Sequence, residues 1–129
     1  MATYVIEGSR VTDIPSFYAE LNRLVMSEED WTLGASLDAL DDLLYGGIGA
    51  LVGDDAVVFE WVDSEHSRAA LGVETTADWL RAKLDRPDVF AAAPLREQLA
   101  ALENGTGRTY FDRILDVFAG HPEVTLVLR

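Results

Sequence analysis

The sequence predicts an α/β fold: a small three-stranded parallel sheet flanked by helices. Three observations predict it. Strand-like segments stand at 3–7, 56–61 and 124–128, and helical segments separate each from the next. The second and third, Ala-Val-Val-Phe-Glu-Trp and Val-Thr-Leu-Val-Leu, are apolar runs rather than alternating ones, the pattern of parallel strands buried on both faces. The chain has 129 residues, 49% of them hydrophobic, which supports one domain with its own core and no more.

Each element has its own justification. Residues 3–7 are β-branched, aromatic and alternating, and Gly8 closes them. From Ile14 the residues Phe17, Leu21, Leu24 and Val25 fall at helical spacing, with Pro15 in the first turn, where its missing N–H costs least; a helix is expected over 14–26. An acidic connector containing Trp31 runs from 27 to 34. A short helix follows at 37–45, stopped by Gly46, Gly47 and Gly49. The second strand is bounded by Gly53-Asp54-Asp55. Helices are expected at 64–71 and 76–84, then at 94–103, which begins at Pro94 and ends at Asn104-Gly105. The last helix, 109–119, carries Phe111, Ile114, Leu115 and Phe118 on one stripe. The closing strand follows His121-Pro122.

Composition excludes several function classes. Without cysteine there is no disulfide, zinc–cysteine site, iron–sulfur cluster or thiol nucleophile. No apolar run approaches the ~20 residues of a membrane span, and no basic start leads into an apolar signal segment, so a cytoplasmic protein is expected. Ten Lys and Arg against 23 Asp and Glu give a formal net charge of −13, which opposes nucleic-acid binding. The charge is also regional. No Lys or Arg lies between Arg23 and Arg68, and the 24–67 stretch holds eleven acids. Such a stretch is either a solvated surface or a docking face for a basic partner.

Most chemical motifs dissolve on inspection. Glu65-His66-Ser67 offers a base and a hydroxyl without a nucleophile elbow around them. Gly46-Gly47-Ile48-Gly49 follows a helix rather than a strand and lacks a phosphate-loop lysine. Asn104-Gly105-Thr106 reads as a turn. Asp41-Asp42 and Asp54-Asp55 lack calcium-loop spacing. No metal or cofactor is expected.

The segment 37–45 breaks local rules. At about 100° per residue, Leu37, Leu40, Leu43 and Leu44 share one side, while Asp38, Asp41, Asp42 and Tyr45 share the other. Asp38 suits the positive end of the helix dipole; Asp42, near the other end, does not. Asp38 and Asp42 are a like-charged i, i+4 pair with no nearby base to offset them. An uncompensated local conflict marks this face as the expected site of function.

The run Gly34-Ala35-Ser36-Leu37-Asp38-Ala39-Leu40-Asp41-Asp42-Leu43-Leu44 resembles the barstar family of intracellular ribonuclease inhibitors. Its pattern is Gly, two residues, Leu-Asp-Ala-Leu, one residue, Asp, one residue, Leu. Val57-Val58-Phe59-Glu60-Trp61 followed by Ser64-Glu65-His66-Ser67-Arg68 is similar to the family's second strand and next helix. The likeness covers roughly residues 2–71 and 107–129. It implies an acidic helix that plugs the active site of a basic secreted ribonuclease in a 1:1 complex, the chain being a monomer when free and not an enzyme. It implies Asp42 as the central contact, Asp38 as its partner one turn earlier, and Leu37, Gly34 and Gly46 beside them, with Asp41 and Tyr45 completing the face. The family usually carries Trp where Asp41 stands, and an aromatic pair where Thr32-Leu33 stands, with Trp31 one step away. Asp116 is the nearest candidate for its last-helix acid. Residues 72–106 read as a helical insertion within a single barstar-like domain, 1–129, their apolar stripes expected to bury against this chain's own core. Two other readings stay open: an immunity or antitoxin protein against another basic target, and an enzyme using the Asp38, Asp41 and Asp42 carboxylates.

Overall fold

A computed structural model describes residues 2–46, 49–51 and 56–129. Three strands, β1 (Ala2–Glu7), β2 (Val57–Val62) and β3 (Val124–Leu128), form one parallel sheet in the order β1-β2-β3. The register pairs Tyr4 with Phe59 and Phe59 with Leu126. Among the described residues six α-helices flank it: α1 (Ile14–Val25), α2 (Leu37–Leu44), α3 (Ser64–Ala70), α4 (Val73–Leu84), α5 (Ala92–Glu103) and α6 (Tyr110–Ala119).

The sheet is buried on one face only, which corrects the expectation of strands buried on both. In β2 burial alternates: Val57, Phe59 and Trp61 are buried, whereas Val58, Glu60 and Val62 are half-buried. Thr3, Val5 and Thr125 are exposed, and Val127 is half-buried. The main core is a single cluster in which Ile6, Phe59 and Trp61 meet α1, α2 and α6. Within it Phe17 stacks on Trp61 at 5.3 Å, and Phe59 meets Phe118 edge-on at 5.5 Å. β-branched residues fill the open face as well, and that is why the run reads as continuously apolar.

Local signals close the helices. Asp13 and Ser16 form a capping box at α1, and Thr109 and Asp112 form another at α6. α4 begins at Val73, three residues before the expected start. The Thr75 hydroxyl donates to the Ala70 carbonyl and the Thr76 hydroxyl to the Gly72 carbonyl, both at 2.7 Å, and these bonds hold the added turn. Thr76 Oγ1 also accepts the Tyr110 N–H at 2.7 Å, fastening α4 to α6. A 2.6 Å hydrogen bond between the Tyr18 and Tyr110 hydroxyls ties α1 to α6 deep in the core. Burial, the Tyr110 hydrogen bond and the Asp38 charge push the Tyr18 phenol far above its ordinary range.

Residues 72–106 contain α4 and α5, which form a satellite core of Ala77, Leu80, Leu95 and Leu102. Trp79 packs against both clusters and meets Tyr110 edge-on at 5.0 Å, so the two cores are continuous through it. No helix among the described residues is long and apolar enough to cross a membrane.

Candidate functional site

α2 is anchored by its leucines. Leu40, Leu43 and Leu44 are buried in the main core and Leu37 packs half-buried against it. At roughly 1.5–3 kcal/mol for each fully buried leucine, this burial outweighs the few tenths of a kcal/mol lost to the Asp38–Asp42 repulsion. Ser36 caps the helix, its hydroxyl accepting the Ala39 N–H at 3.1 Å. Gly46, at φ +86, follows the last turn in the left-handed region that favours glycine. Gly49, at φ +61, is required more strictly: a Cβ there would lie 2.4 Å from the Val25 carbonyl oxygen. Gly47 and Ile48 of the expected helix stop lie outside the described residues, as do Gly53, Asp54 and Asp55.

The three carboxylates of α2 have different surroundings. Asp38 and Asp42 are exposed and make no hydrogen bond or ion pair among the described residues. Asp41 is 46% exposed, and its Oδ1 lies 2.6 Å from His121 Nε2. A carboxylate only accepts, so Nε2 carries the hydrogen. His121 lies just before β3, its side chain 4% exposed, and its ring meets Tyr45 edge-on at 4.7 Å. Tyr45 caps the end of α2 and is itself 76% exposed. Asp41 therefore fastens the acidic helix to the segment leading into β3, and Asp38 and Asp42 do not. Nothing in the spacing of His121 from Asp41, 80 positions apart, announces this contact; only the fold brings it about.

Beside α2 the connector is held from within. Leu33 is buried, its N–H donates to Asn22 Oδ1 at 2.7 Å, and Trp31, Thr32 and Gly34 are left exposed. A Cβ at Gly34 would meet nothing within 4 Å, and its φ is outside the glycine-favouring region, so the fold has no need of a glycine there. Asp116 lies on α6, which packs against α2, but its carboxylate accepts from Arg108 at 2.6 Å. No hydrogen bond or ion pair among the described residues joins it to α2.

The Glu65-His66-Ser67 triplet forms no catalytic array. Ser67 is buried, its hydroxyl accepting from Trp61 Nε1 at 2.9 Å and donating to the Gly8 carbonyl at 3.0 Å. Glu65 and His66 are exposed on α3. Among the described residues no group of three or more His, Asp or Glu is placed to hold a metal ion.

Two hollows border α2. One of about 300 Å³, at its C-terminal end, is lined by Tyr45, Gly46, His121 and Val124. The other, about 520 Å³, opens between the N-terminal end of α2 and α4, α5 and α6; Asp38, Trp79, Lys83 and Arg113 line it. No family model matches the chain, and no curated protein is significantly similar to it.

Proposed function

We propose that this protein is an interaction protein that inhibits a small basic secreted ribonuclease in a 1:1 complex, with the acidic side of α2 placed over the enzyme's phosphate-binding groups. The observation that carries the reading is the pair Asp38 and Asp42: two exposed carboxylates one turn apart, with no hydrogen bond or ion pair to their carboxylates among the described residues, on a helix fixed by buried leucines behind them. A ribonuclease holds phosphate with Arg, Lys and His, and those groups accept carboxylates in the same geometry. The likeness of 34–44 to the barstar family points the same way. Gly34 adds support, because a glycine that the fold does not require leaves room for a partner's backbone to approach. Trp31, Thr32, Leu37, Tyr45 and Gly46 then form the rim around the two acids. Asp116, engaged by Arg108, contributes more weakly. The net charge of −13 would steer a basic enzyme toward this face. On this reading the protein belongs in the cytoplasm and is a monomer when free of its partner.

The test is titration of the purified protein into a panel of small basic guanyl-type ribonucleases. Activity is expected to fall to zero at one equivalent for at least one enzyme. A panel left fully active would overturn the ribonuclease reading. Capture of a different basic toxin from the source organism would replace it with the immunity-protein reading.

A further inference from the structure

The groove of about 520 Å³ is lined by two cations of this acidic chain, and among the described residues no carboxylate is bonded to either. Among the described residues Arg113 has one hydrogen bond, from Nη2 to Gln98 Oε1 at 3.2 Å, and its buried Nε has none. Lys83 forms no ion pair there; its Nζ lies 3.9 Å from the centroid of the Trp79 ring and 5.2 Å from that of Phe90. The Arg113 guanidinium carbon lies 5.3 Å from the Trp79 centroid. Both cations are half-buried, and burial pulls each below its ordinary range; the Arg113 charge pulls Lys83 further down and the Arg108 charge does the same to Arg113, outweighing the opposing pull of Asp38 on Lys83 and of Asp116 and Asp112 on Arg113. Two half-desolvated cations around one indole, neither bonded to a carboxylate among the described residues, would gain from an anion placed between them.

The remaining walls narrow the anion's chemistry. Trp79, Phe90 and Leu37 are apolar and two of them are flat, which suits a planar apolar body. Asp38 stands at the rim, close enough to act on Lys83. It would repel a second negative charge, so a monoanion is favoured over a phosphate dianion. The volume falls within the range of small-molecule sites. We propose that this groove binds a small aromatic monocarboxylate, its carboxylate held by Lys83 and Arg113 beside the Trp79 indole and its ring against Phe90 and Leu37. The cations and rings of the site come from α4, the connector after it and α6, and it borders α2 at Leu37 and Asp38; the proposal does not depend on the ribonuclease reading.

The probe is 2-naphthoate, with 2-naphthylmethanol as its neutral counterpart and inorganic phosphate as an anion without a ring, each titrated into the full chain by calorimetry and by amide chemical-shift mapping. One equivalent of naphthoate is expected to bind, with shifts centred on Trp79, Lys83 and Arg113. The neutral analogue should bind at least tenfold more weakly, and phosphate should not displace naphthoate at equal concentration. Lys83→Gln and Arg113→Gln should each weaken naphthoate binding at least tenfold, folding being checked by circular dichroism. Asp38→Asn should tighten it severalfold. No binding at millimolar naphthoate, equal binding of the alcohol, or displacement by phosphate would overturn the proposal. The naphthoate–alcohol comparison uses the unaltered protein, so it decides the matter even if a variant fails to fold.

Discussion

Asp41 and Asp42 are neighbours on one helix, and opposite outcomes are expected when each is replaced by alanine. Asp41→Ala removes the only acceptor bonded to His121 Nε2 among the described residues, and leaves a ring whose side chain is 4% exposed. A buried donor left without a partner costs about 1–3 kcal/mol. Alanine returns about 0.5 kcal/mol of helix propensity, leaving a net loss of about 0.5–2.5 kcal/mol. For 129 residues the unfolding entropy is about 0.27 kcal/mol/K, so Tm should fall by about 2–9 °C. Asp42→Ala gains the same propensity, loses no partner and relieves the repulsion with Asp38, so its Tm should equal or exceed that of the parent. Calorimetric melts of the two variants and the parent at neutral pH and one salt concentration decide the point. Asp41→Ala melting as high as Asp42→Ala would refute the idea that the His121 contact carries stability.

The remaining expectations concern binding, charge and the second core. Asp42→Ala should cost about 2 kcal/mol or more of affinity for the ribonuclease, the threshold of a hot spot, as measured by inhibition titration. Gly34→Ala should leave stability unchanged or raise it by up to about 1 kcal/mol while weakening inhibition; unchanged inhibition would remove Gly34 from the contact. Raising salt from about 50 to about 300 mM should slow association more than it speeds dissociation, since exposed charges beyond about 10 Å are screened, and stopped-flow mixing measures both rates. Leu80→Ala, in the satellite core, should lower stability by about 2–4 kcal/mol yet leave the affinity of the folded protein within a few-fold. For Glu20, burial acts to raise the carboxyl, but the Arg23 side chain, the Glu7 N–H and Arg10 outweigh it and hold the group below its ordinary 4.5. Its stabilisation is thus complete above that value and is lost as pH falls through the lower folded value. Glu20→Gln should accordingly reduce stability at neutral pH and flatten its decline on acidification, followed by denaturant melts from pH 6 to pH 3.

The legible parts of the structure were those set by local periodicity. The leucine side of α2, the stripe of α6 and the three strands follow from spacing, and the stop of α5 follows from Asn104 and Gly105, the latter at φ +82. What stayed hidden depended on distant pairing. β2 and β3 contain enough valine and leucine to suit a doubly covered strand, yet sheet coverage depends on where the helices pack, which no window of a few residues records. Thr76 looks like an ordinary helical threonine, but it is buried and accepts the N–H of Tyr110, 34 positions later. His121 offered no ligand spacing and so no signal; its role required Asp41, whose own pattern marked it only as one of three solvent-facing acids.

Asp41 also explains how α2 can hold so much negative charge and still keep a fixed orientation. Buried leucines restrain the helix against sliding away from the core, but a smooth apolar contact resists rotation about the helix axis less well than a directional bond does. The Asp41–His121 hydrogen bond, and the edge of the His121 ring against Tyr45, supply direction at the C-terminal end, and the Ser36 cap defines the start. Asp38 and Asp42 are thereby held one turn apart on a helix that does not need them for its own stability. Under the inhibitor reading, such preorganisation lowers the ordering cost of binding, since little side-chain or helix freedom is left to lose at the moment of contact. Loosening the clamp should then act on affinity through the helix as a whole: in the folded fraction of Asp41→Ala, the Asp42 and Leu43 amides, inside the hydrogen-bonded turns of α2, should exchange faster with solvent, and binding should acquire a larger entropic penalty at similar contact enthalpy. Unchanged exchange in α2 would mean that the leucines alone fix the helix.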